Sequence, residues 1–219
     1  QLEWNAETMG WYTCHLTVET SASMKGQFLI GAVAEDLDGN IGVQIEQEVW
    51  YLNPEIVIGL DGSIDFGKVL PGGTYKSSTI TLTNNAEPLS GVLLYMYIAG
   101  TDFYDPAHAG TMCPTSNVLT LDHFRYYASQ GAYNTCNNQT ADAECYAAIN
   151  HYQDGAGAAV FNNFEQIIDE TIEVGDEYQL GNILSPGADM SLNFKLVLPE
   201  PCNGGPFTQG KFMFFGEAI

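Results

Sequence analysis

The residues best suited to covalent chemistry are five cysteines, Cys14, Cys113, Cys136, Cys145 and Cys202. None belongs to a Cys-x-x-Cys pair or has zinc-finger spacing, so disulfide bonds in an oxidising compartment explain them better than a metal site does. Cys136 and Cys145 bracket a short polar segment, and Cys113 and Cys202 each adjoin a proline in a loop-like stretch. We therefore predict the bonds Cys136–Cys145 and Cys113–Cys202. Cys14 is left either buried in a strand or available for an intermolecular bond.

Metal-binding chemistry has one main candidate, the segment Asp36-Leu37-Asp38-Gly39-Asn40. Asp36, Asp38 and Asn40 place oxygen ligands at every second position, as at the start of a calcium loop, but Gln47 stands where such a loop needs a bidentate Glu. The alternative is an ordinary hairpin turn. A zinc site is a second candidate, formed by His108, Cys113, His123 and Cys136. The predicted disulfides account for its thiols. No cofactor is therefore expected beyond the alternative of calcium at Asp36, Asp38 and Asn40.

Catalytic motifs are not visible in the chain. The four histidines are scattered, and no Gly-x-Ser-x-Gly elbow or phosphate-binding glycine-rich loop occurs. Carboxylates are plentiful, but nothing singles out a pair for glycoside chemistry. The sequence therefore predicts a protein that is not an enzyme.

Carbohydrate enters in two ways, as an attached glycan and as a bound ligand. Asn138-Gln139-Thr140 is the only N-glycosylation sequon, which makes Asn138 the candidate acceptor of a glycan. Aromatic side chains in the same region offer faces for stacking on sugars, namely Tyr126, Tyr127, Tyr133 and Tyr152. An adhesin or a carbohydrate-binding module is therefore one alternative function.

The charge balance excludes several partners. Six Lys and Arg against 27 Asp and Glu give a formal net charge of −21. A chain with one Arg and no basic run cannot neutralise a row of phosphates, which excludes nucleic acid and anionic membrane surfaces. The longest apolar run, residues 92–99, has eight residues, whereas a membrane span needs about 20. We expect no insertion into a membrane.

The location of the protein is predicted from its first residue and its cysteines. The chain begins at Gln1, and removal of a secretory signal would leave such a start. Disulfides form in the same oxidising compartments that secreted proteins reach. We therefore expect a secreted, extracellular protein at the cell surface.

Apolar residues alternate with polar ones at a period of two along much of the chain, which indicates half-buried strands. The segments that show this pattern are residues 14–18, 28–34, 43–51, 56–60, 79–83, 191–198 and 211–218. Turn signals such as Pro71-Gly72-Gly73 and Pro186-Gly187 separate them. Residues 92–98 are apolar on both faces and predict a central strand.

The predicted fold class is all-β, a jelly-roll-like β-sandwich. Residues 11–219 form a single domain, with a long disulfide-stapled loop insertion at about residues 100–175 that is rich in Asn, Tyr, Ala and Gly. Asp142 can cap a helix over residues 143–150, so the insertion is expected to contain a short helix.

The stretch from residue 53 to residue 85 carries a resemblance to a known family. It contains Phe66-Gly67-Lys68-Val69-Leu70-Pro71-Gly72 followed by Thr79-Ile80-Thr81-Leu82-Thr83-Asn84-Asn85. This pattern resembles secreted archaeal and bacterial β-sandwich proteins of the camelysin/TasA group of biofilm-fibre subunits and their archaeal pilus relatives. A similar pattern recurs more weakly from residue 180 to residue 198.

The resemblance implies a subunit that polymerises by donor-strand exchange, in which residues 1–10 are the donor strand that completes the sheet of a neighbour. Leu2, Trp4 and Ala6 alternate with polar residues, so this segment can offer an apolar face. The alternative is that it is the first strand of its own sandwich. The expected function is a homopolymeric structural subunit of an extracellular filament, such as a pilus or fibre, or of a surface layer; a viral jelly-roll capsid protein is the remaining alternative.

Overall fold

The computed structural model describes residues 10, 13, 25–45, 49–88, 90–107, 112–114, 116–152, 164–170, 172–174, 178–202 and 207–219. Within these ranges the chain is nearly all β, which confirms the predicted class. Its helical segments there are three short 3₁₀ turns, Leu121–His123, Thr135–Asn137 and Leu180–Asn182. None of the described helices is long and apolar enough to cross a membrane.

The strands of the described residues all pair antiparallel. In chain order they are β1 (Gly26–Phe28), β2 (Gly31–Glu35), β3 (Ile41–Ile45), β4 (Trp50–Leu52), β5 (Ile58–Asp61), β6 (Thr74–Lys76), β7 (Ile80–Asn84), β8 (Leu94–Gly100), β9 (Phe103–Tyr104), β10 (Val118–Leu119), β11 (Phe124–Gln130), β12 (Tyr133–Asn134), β13 (Ala147–Ala148), β14 (Glu165–Gln166), β15 (Glu173–Val174), β16 (Tyr178–Gln179), β17 (Ile183–Leu184), β18 (Asp189–Val197) and β19 (Phe212–Ala218).

Two of the sheets enclose the hydrophobic core. The first runs in the order β12-β11-β18-β7-β5, with β13 beside β11 and β6 beside β18. In the second, β8 is flanked by β14 and β17 on one edge and by β19 on the other. Their facing side chains form one cluster, in which Leu82 and Phe194 of the first sheet join Met96 and Ile98 of the second. The architecture is an all-β sandwich.

Alternation positions the core residues of the first sheet. In β7, Ile80 and Leu82 are buried while the threonines between them are half-buried, and β18 repeats this pattern. By contrast, β8 is buried on both faces. The two predicted core strands, residues 92–98 and 191–198, are therefore confirmed as β8 and β18.

The predicted loop insertion is in fact part of the sandwich. β11 lies within residues 100–175, yet it pairs with β18 along six residues, from Phe124↔Leu196 to Ser129↔Ser191. Tyr126 and Ala128 of β11 are fully buried. The region looked like a loop because its strand alternates large polar groups with the buried ones, so its overall composition is polar.

The predicted helix over residues 143–150 is wrong. The segment is a turn followed by β13 (Ala147–Ala148). The Asp142 carboxylate does act as a cap, since it accepts hydrogen bonds from the backbone N–H groups of Glu144 and Tyr146. Cys145 then adopts a positive φ of 67°, a left-handed conformation that a helix interior excludes, and the chain turns into a strand.

Strands β1 to β4 form an arm, comprising residues 26–45 and 49–52. β1 pairs with β4, β2 pairs with β3, and neither pair belongs to the two core sheets. Every residue of β2 and β3 is exposed, although their alternation predicted half-buried strands. The predicted hairpin turn lies at the tip of the arm, where the Gly39 N–H donates to the Asp36 carbonyl.

Candidate assembly surface

Among the described residues, the last strand, β19, is an open edge of the second sheet. All seven of its residues pair with β8, from Phe212↔Gly100 to Ala218↔Leu94. On the other side, β19 has no partner strand within the described ranges. At about 3.3 Å per residue this edge is about 23 Å long. A long apolar edge is a ready pairing site for another strand.

The backbone groups that face the open side follow from the strand's alternation. Lys211 and Ile219 lie just before and just after β19. The Lys211 carbonyl accepts from the Thr101 N–H, and the Ile219 N–H donates to the Leu93 carbonyl, so the backbone groups of both residues point toward β8 and the residues next to it. Since successive residues of a strand point in opposite directions, the even-numbered residues direct their N–H and C=O groups outward. These are Phe212, Phe214, Gly216 and Ala218.

The open edges of the two sheets lie on the same side of the sandwich. A Cβ added to Gly216 would lie 2.9 Å from Cδ1 of Ile58, which is the first residue of edge strand β5. The side chains of Phe212, Phe214 and Ala218 pack against the core, yet each remains half-buried. A further strand beside β19 would cover them with its own apolar face.

Lys25, which follows the N-terminal segment, contacts the residue just after β19. Its ammonium donates a hydrogen bond of 2.7 Å to the Ile219 carbonyl. Residues 11–24 separate this point from the predicted donor strand, and fourteen residues span at most about 50 Å. The predicted donor therefore has the reach to contact another molecule.

The predicted donor residues Leu2, Trp4 and Ala6 lie outside the described residues, and so does Cys14. Donor-strand exchange and the role of Cys14 stay predictions. The structure describes an edge strand, β19, beside which such a donor could pair.

Both predicted disulfides are present. Cys113 is bonded to Cys202 and Cys136 to Cys145. The zinc candidate that used Cys113 and Cys136 is therefore wrong, because each sulfur is already bonded to a different cysteine.

The two disulfides should differ in what they contribute to stability. They close segments of 89 and 9 residues, for which loop entropy gives about 4.6 and about 2.6 kcal/mol. We expect the double variant Cys113→Ser/Cys202→Ser to lose about 2 kcal/mol more unfolding free energy than Cys136→Ser/Cys145→Ser. Urea denaturation of the two variants side by side measures the difference, and equal losses would contradict it.

The calcium candidate forms a closed turn. One Asp36 carboxylate oxygen accepts from the backbone N–H groups of Asp38 and Asn40, and the other accepts from the Asn40 side chain. The Asn40 hydrogen bonds lower the pKa of Asp36. A calcium ion would have to displace these donors, so the arrangement favours the turn, and calcium at Asp36, Asp38 and Asn40 stays a prediction.

The glycosylation candidate Asn138 is 4% exposed. Its side-chain nitrogen donates to the Tyr126 hydroxyl and the Ile167 carbonyl, and its oxygen accepts from the Asp169 N–H. A glycan on that nitrogen would have to break both donated bonds and leave the core. This geometry argues against a glycan on Asn138 in the folded chain, and the side chain instead holds the loop at Ile167.

Buried asparagines that the sequence analysis did not single out also hold loops. The Asn182 oxygen accepts from the N–H groups of Ile167 and Ile168, both at 3.1 Å, and its nitrogen donates to the Met96 carbonyl at 2.6 Å. Asn84 similarly donates to the carbonyls of Val92 and Leu184. Asn84 is the last residue of β7 and Asn182 is the last residue of a 3₁₀ turn, so an Asn at the end of an element was the available signal.

Asn182→Ala should destabilise the fold strongly. It leaves the buried N–H group of Ile168 without its acceptor, while the Ile167 N–H keeps its bond of 3.2 Å to the Met96 carbonyl. One orphaned buried group costs about 1–3 kcal/mol. We expect a loss of about 2 kcal/mol in unfolding free energy, measured by urea denaturation. The exposed Asn150 provides the matched control, since Asn150→Ala should stay within about 0.5 kcal/mol of the parent chain. Equal effects of the two substitutions would contradict the assignment.

The four tyrosines proposed to stack on sugars are not equivalent. Tyr126 is fully buried and its hydroxyl donates to the Ile167 carbonyl at 2.9 Å, so its part in sugar stacking is wrong. Tyr127 and Tyr133 are half-buried, and the Tyr127 ring packs 6.0 Å from Tyr146. Of the four, Tyr152 lines an open groove. The exposed Tyr104, which is not one of the four, lines the same groove.

A buried ion cluster was also missed by the sequence analysis. Lys195 is 6% exposed. Its ammonium contacts the Asp142 carboxylate, lies 3.3 Å from the Glu144 carboxylate and sits 4.6 Å from the centre of the Tyr146 ring. Burial raises the pKa of Asp142, but the hydrogen bonds from Lys195 and from two backbone N–H groups outweigh it and leave the pKa lowered.

These features define a disulfide-bonded, all-β sandwich with an open apolar edge and an exposed arm. The chain matches no known protein-family model and no curated protein sequence.

Proposed function

We propose that the chain is a structural subunit of an extracellular filament, a pilus or fibre, or of a surface layer, and that it polymerises by donor-strand complementation. Its partners are copies of itself. The N-terminal strand of one subunit, with Leu2, Trp4 and Ala6 as its apolar face, pairs with the β19 edge of the next. The resemblance to the camelysin/TasA group led to this proposal.

The open β19 edge is the observation that carries it. Its outward backbone groups are unpaired by any described strand, and the phenylalanine side chains on its core face are half-buried. An added strand would form main-chain hydrogen bonds with the outward backbone groups and would cover the phenylalanine side chains with its own apolar residues. A nine-residue donor spans about 30 Å, enough to cover the whole edge.

Two other features support an extracellular polymer. Disulfides persist in oxidising compartments, which favours a secreted protein. Only six Lys and Arg residues occur in the chain, which leaves few sites for trypsin-like cleavage. Both suit a durable assembly outside the cell.

Negative-stain electron microscopy of the purified chain tests the proposal. Filaments or a two-dimensional lattice are the expected result. Closed shells would support the capsid alternative, and monomers at every concentration tested would contradict a structural subunit.

The groove beside β9 favours sugar binding as a second candidate function. It has a volume of 570 Å³ and is lined by Tyr104, Tyr152, Asp102 and Gln209 among others. Aromatic faces next to polar side chains are what a saccharide requires. Screening of the chain against an oligosaccharide array tests this role, and Tyr104→Ala should abolish any binding found.

A further inference from the structure

An open apolar cavity of 370 Å³ lies at one end of the sandwich. Five phenylalanines line it, together with the exposed Lys211. The residues are Phe66, Phe103, Phe124, Phe207, Phe212 and Lys211. The rings of Phe103, Phe124 and Phe212 contact one another at centroid distances of 4.8 to 5.4 Å. This cavity therefore has rigid aromatic walls and one cationic group.

Lys211 differs from most basic residues of the chain. Lys76 and Lys195 pair with carboxylates, Arg125 donates to two backbone carbonyls, and Lys25 donates to Ile219. In the described part of the molecule, the Lys211 ammonium contacts no carboxylate. It is thus available to an acidic group that enters the cavity.

The tip of the arm has the complementary chemistry. Leu37 is completely exposed at the tip, and Asp36 and Asp38 flank it. The turn is held rigidly, because the Asp36 carboxylate accepts three hydrogen bonds and its backbone makes two more to Gly39 and Asn40. The tip presents one aliphatic side chain between two acids.

The base of the arm and the cavity lie at opposite ends of β19. The arm leaves beside the end of β19, where Lys25 donates to Ile219 and the Asn85 N–H donates to the Val57 carbonyl. The cavity surrounds Phe212, the first residue of β19, about 23 Å away along the strand. A contact between these two different surfaces of two copies is heterologous, and such contacts produce open-ended filaments unless the rotation closes them into a ring.

The arm tip could enter the cavity of its own chain or that of a second copy. The exposure of the arm favours the second copy. An arm folded back toward its own cavity would cover its apolar side chains against the body. Instead, Val33, Ile41, Val43 and Ile45 are each more than half exposed. A two-stranded ribbon is marginally stable by itself in water, and no described residue of the body covers these side chains, so a second copy is the partner we argue for.

We propose that the arm tip of one subunit docks into the phenylalanine-lined cavity of the next copy of this chain. Leu37 enters the cavity, and Asp36 and Asp38 face Lys211. This inference deepens the proposed function by adding a second contact between the subunits of the polymer. It uses the arm and the cavity, whereas donor-strand complementation uses residues 1–9 and β19.

Cross-linking between two singly substituted full-length chains tests the contact directly. One chain carries Leu37→Cys, the other carries Lys211→Cys, and both carry Cys14→Ser to remove the unpaired thiol. Mixing them under mild oxidation should give a covalent dimer of the two chains as the main product on a non-reducing gel. The matched control replaces Lys211→Cys by Lys68→Cys, an exposed lysine outside the cavity, and should give at least tenfold less dimer.

The same contact predicts an effect on assembly. Leu37→Ser should raise the critical concentration for polymerisation at least tenfold, whereas Leu70→Ser, at another exposed leucine, should leave it unchanged. The inference is overturned if the mixed chains give no more dimer than the Lys68→Cys control. It is also overturned if residues 37 and 211 cross-link only within one doubly substituted chain. Filaments that depend on residues 1–9 but not on Leu37 would leave donor-strand complementation standing without the arm contact.

Discussion

Removal of residues 1–9 is expected to abolish polymerisation and leave a folded monomer. The hydrophobic core comprises side chains between Ile58 and Ala218, so the truncated chain keeps its sandwich and loses only the strand that a neighbour would accept. Trp4→Ala in the full chain should weaken subunit association about 30-fold, since a central aromatic anchor commonly contributes about 2 kcal/mol. Sedimentation of assembled material across a concentration series measures both effects.

A synthetic peptide of residues 1–9 is the matched control for this truncation. Added to the truncated chain, it should bind the β19 edge and raise the melting temperature without restoring filaments, while the same peptide with Trp4→Ala should bind about 30-fold more weakly. Normal filaments from the truncated chain would show that this segment is not the donor. Failure of the truncated chain to fold would show that the segment is an intrinsic strand.

Asp142→Asn is expected to lower the free energy of unfolding by about 3 kcal/mol at pH 7, because it leaves the buried Lys195 ammonium without its main counter-charge. The substitution keeps the side-chain oxygen that accepts from Glu144 and Tyr146, so the turn is preserved. Glu144 contacts the same ammonium but its side chain is 57% exposed. Glu144→Gln should therefore cost less than about 1 kcal/mol.

The pH dependence provides a second readout of this cluster. Because the folded chain lowers the pKa of Asp142, the stabilisation is present above the ordinary carboxyl pKa of about 3.9 and is lost as the pH falls through the folded value. The parent chain should therefore lose its advantage over Asp142→Asn in acid. Urea denaturation at pH 7 and below pH 3 measures this. An advantage of the same size at both pH values would contradict the role of the ion pair.

The sandwich was predictable where the sequence pattern and the burial coincide. β18 alternates apolar and polar residues, and β8 is apolar on both faces, so each pattern specifies how many faces are covered. The pairing of Cys113 with Cys202 followed from their adjoining prolines. In these cases local sequence and long-range packing carry the same information.

The remaining features depend on packing partners that the pattern does not contain. In β11 the buried residues Phe124, Tyr126 and Ala128 alternate as expected, but the polar composition around them hid the strand within a supposed loop. The arm shows the reverse, since alternation in β2 and β3 predicts strands without saying that nothing in their own chain covers them. Asn138 has a sequon's spacing, and only the fold reveals that its amide is buried.

Residue-resolved amide hydrogen exchange of the truncated chain, with and without the peptide of residues 1–9, tests the acceptor edge most directly. In the chain alone, the amides of Phe214, Gly216 and Ala218 should exchange rapidly, while those of Met213, Phe215 and Glu217, which face β8, should be protected. Addition of the peptide should protect the first three and leave the others unchanged. If the first three amides are already protected without the peptide, or remain unprotected when it is saturating, β19 is not the edge that accepts a neighbour's strand.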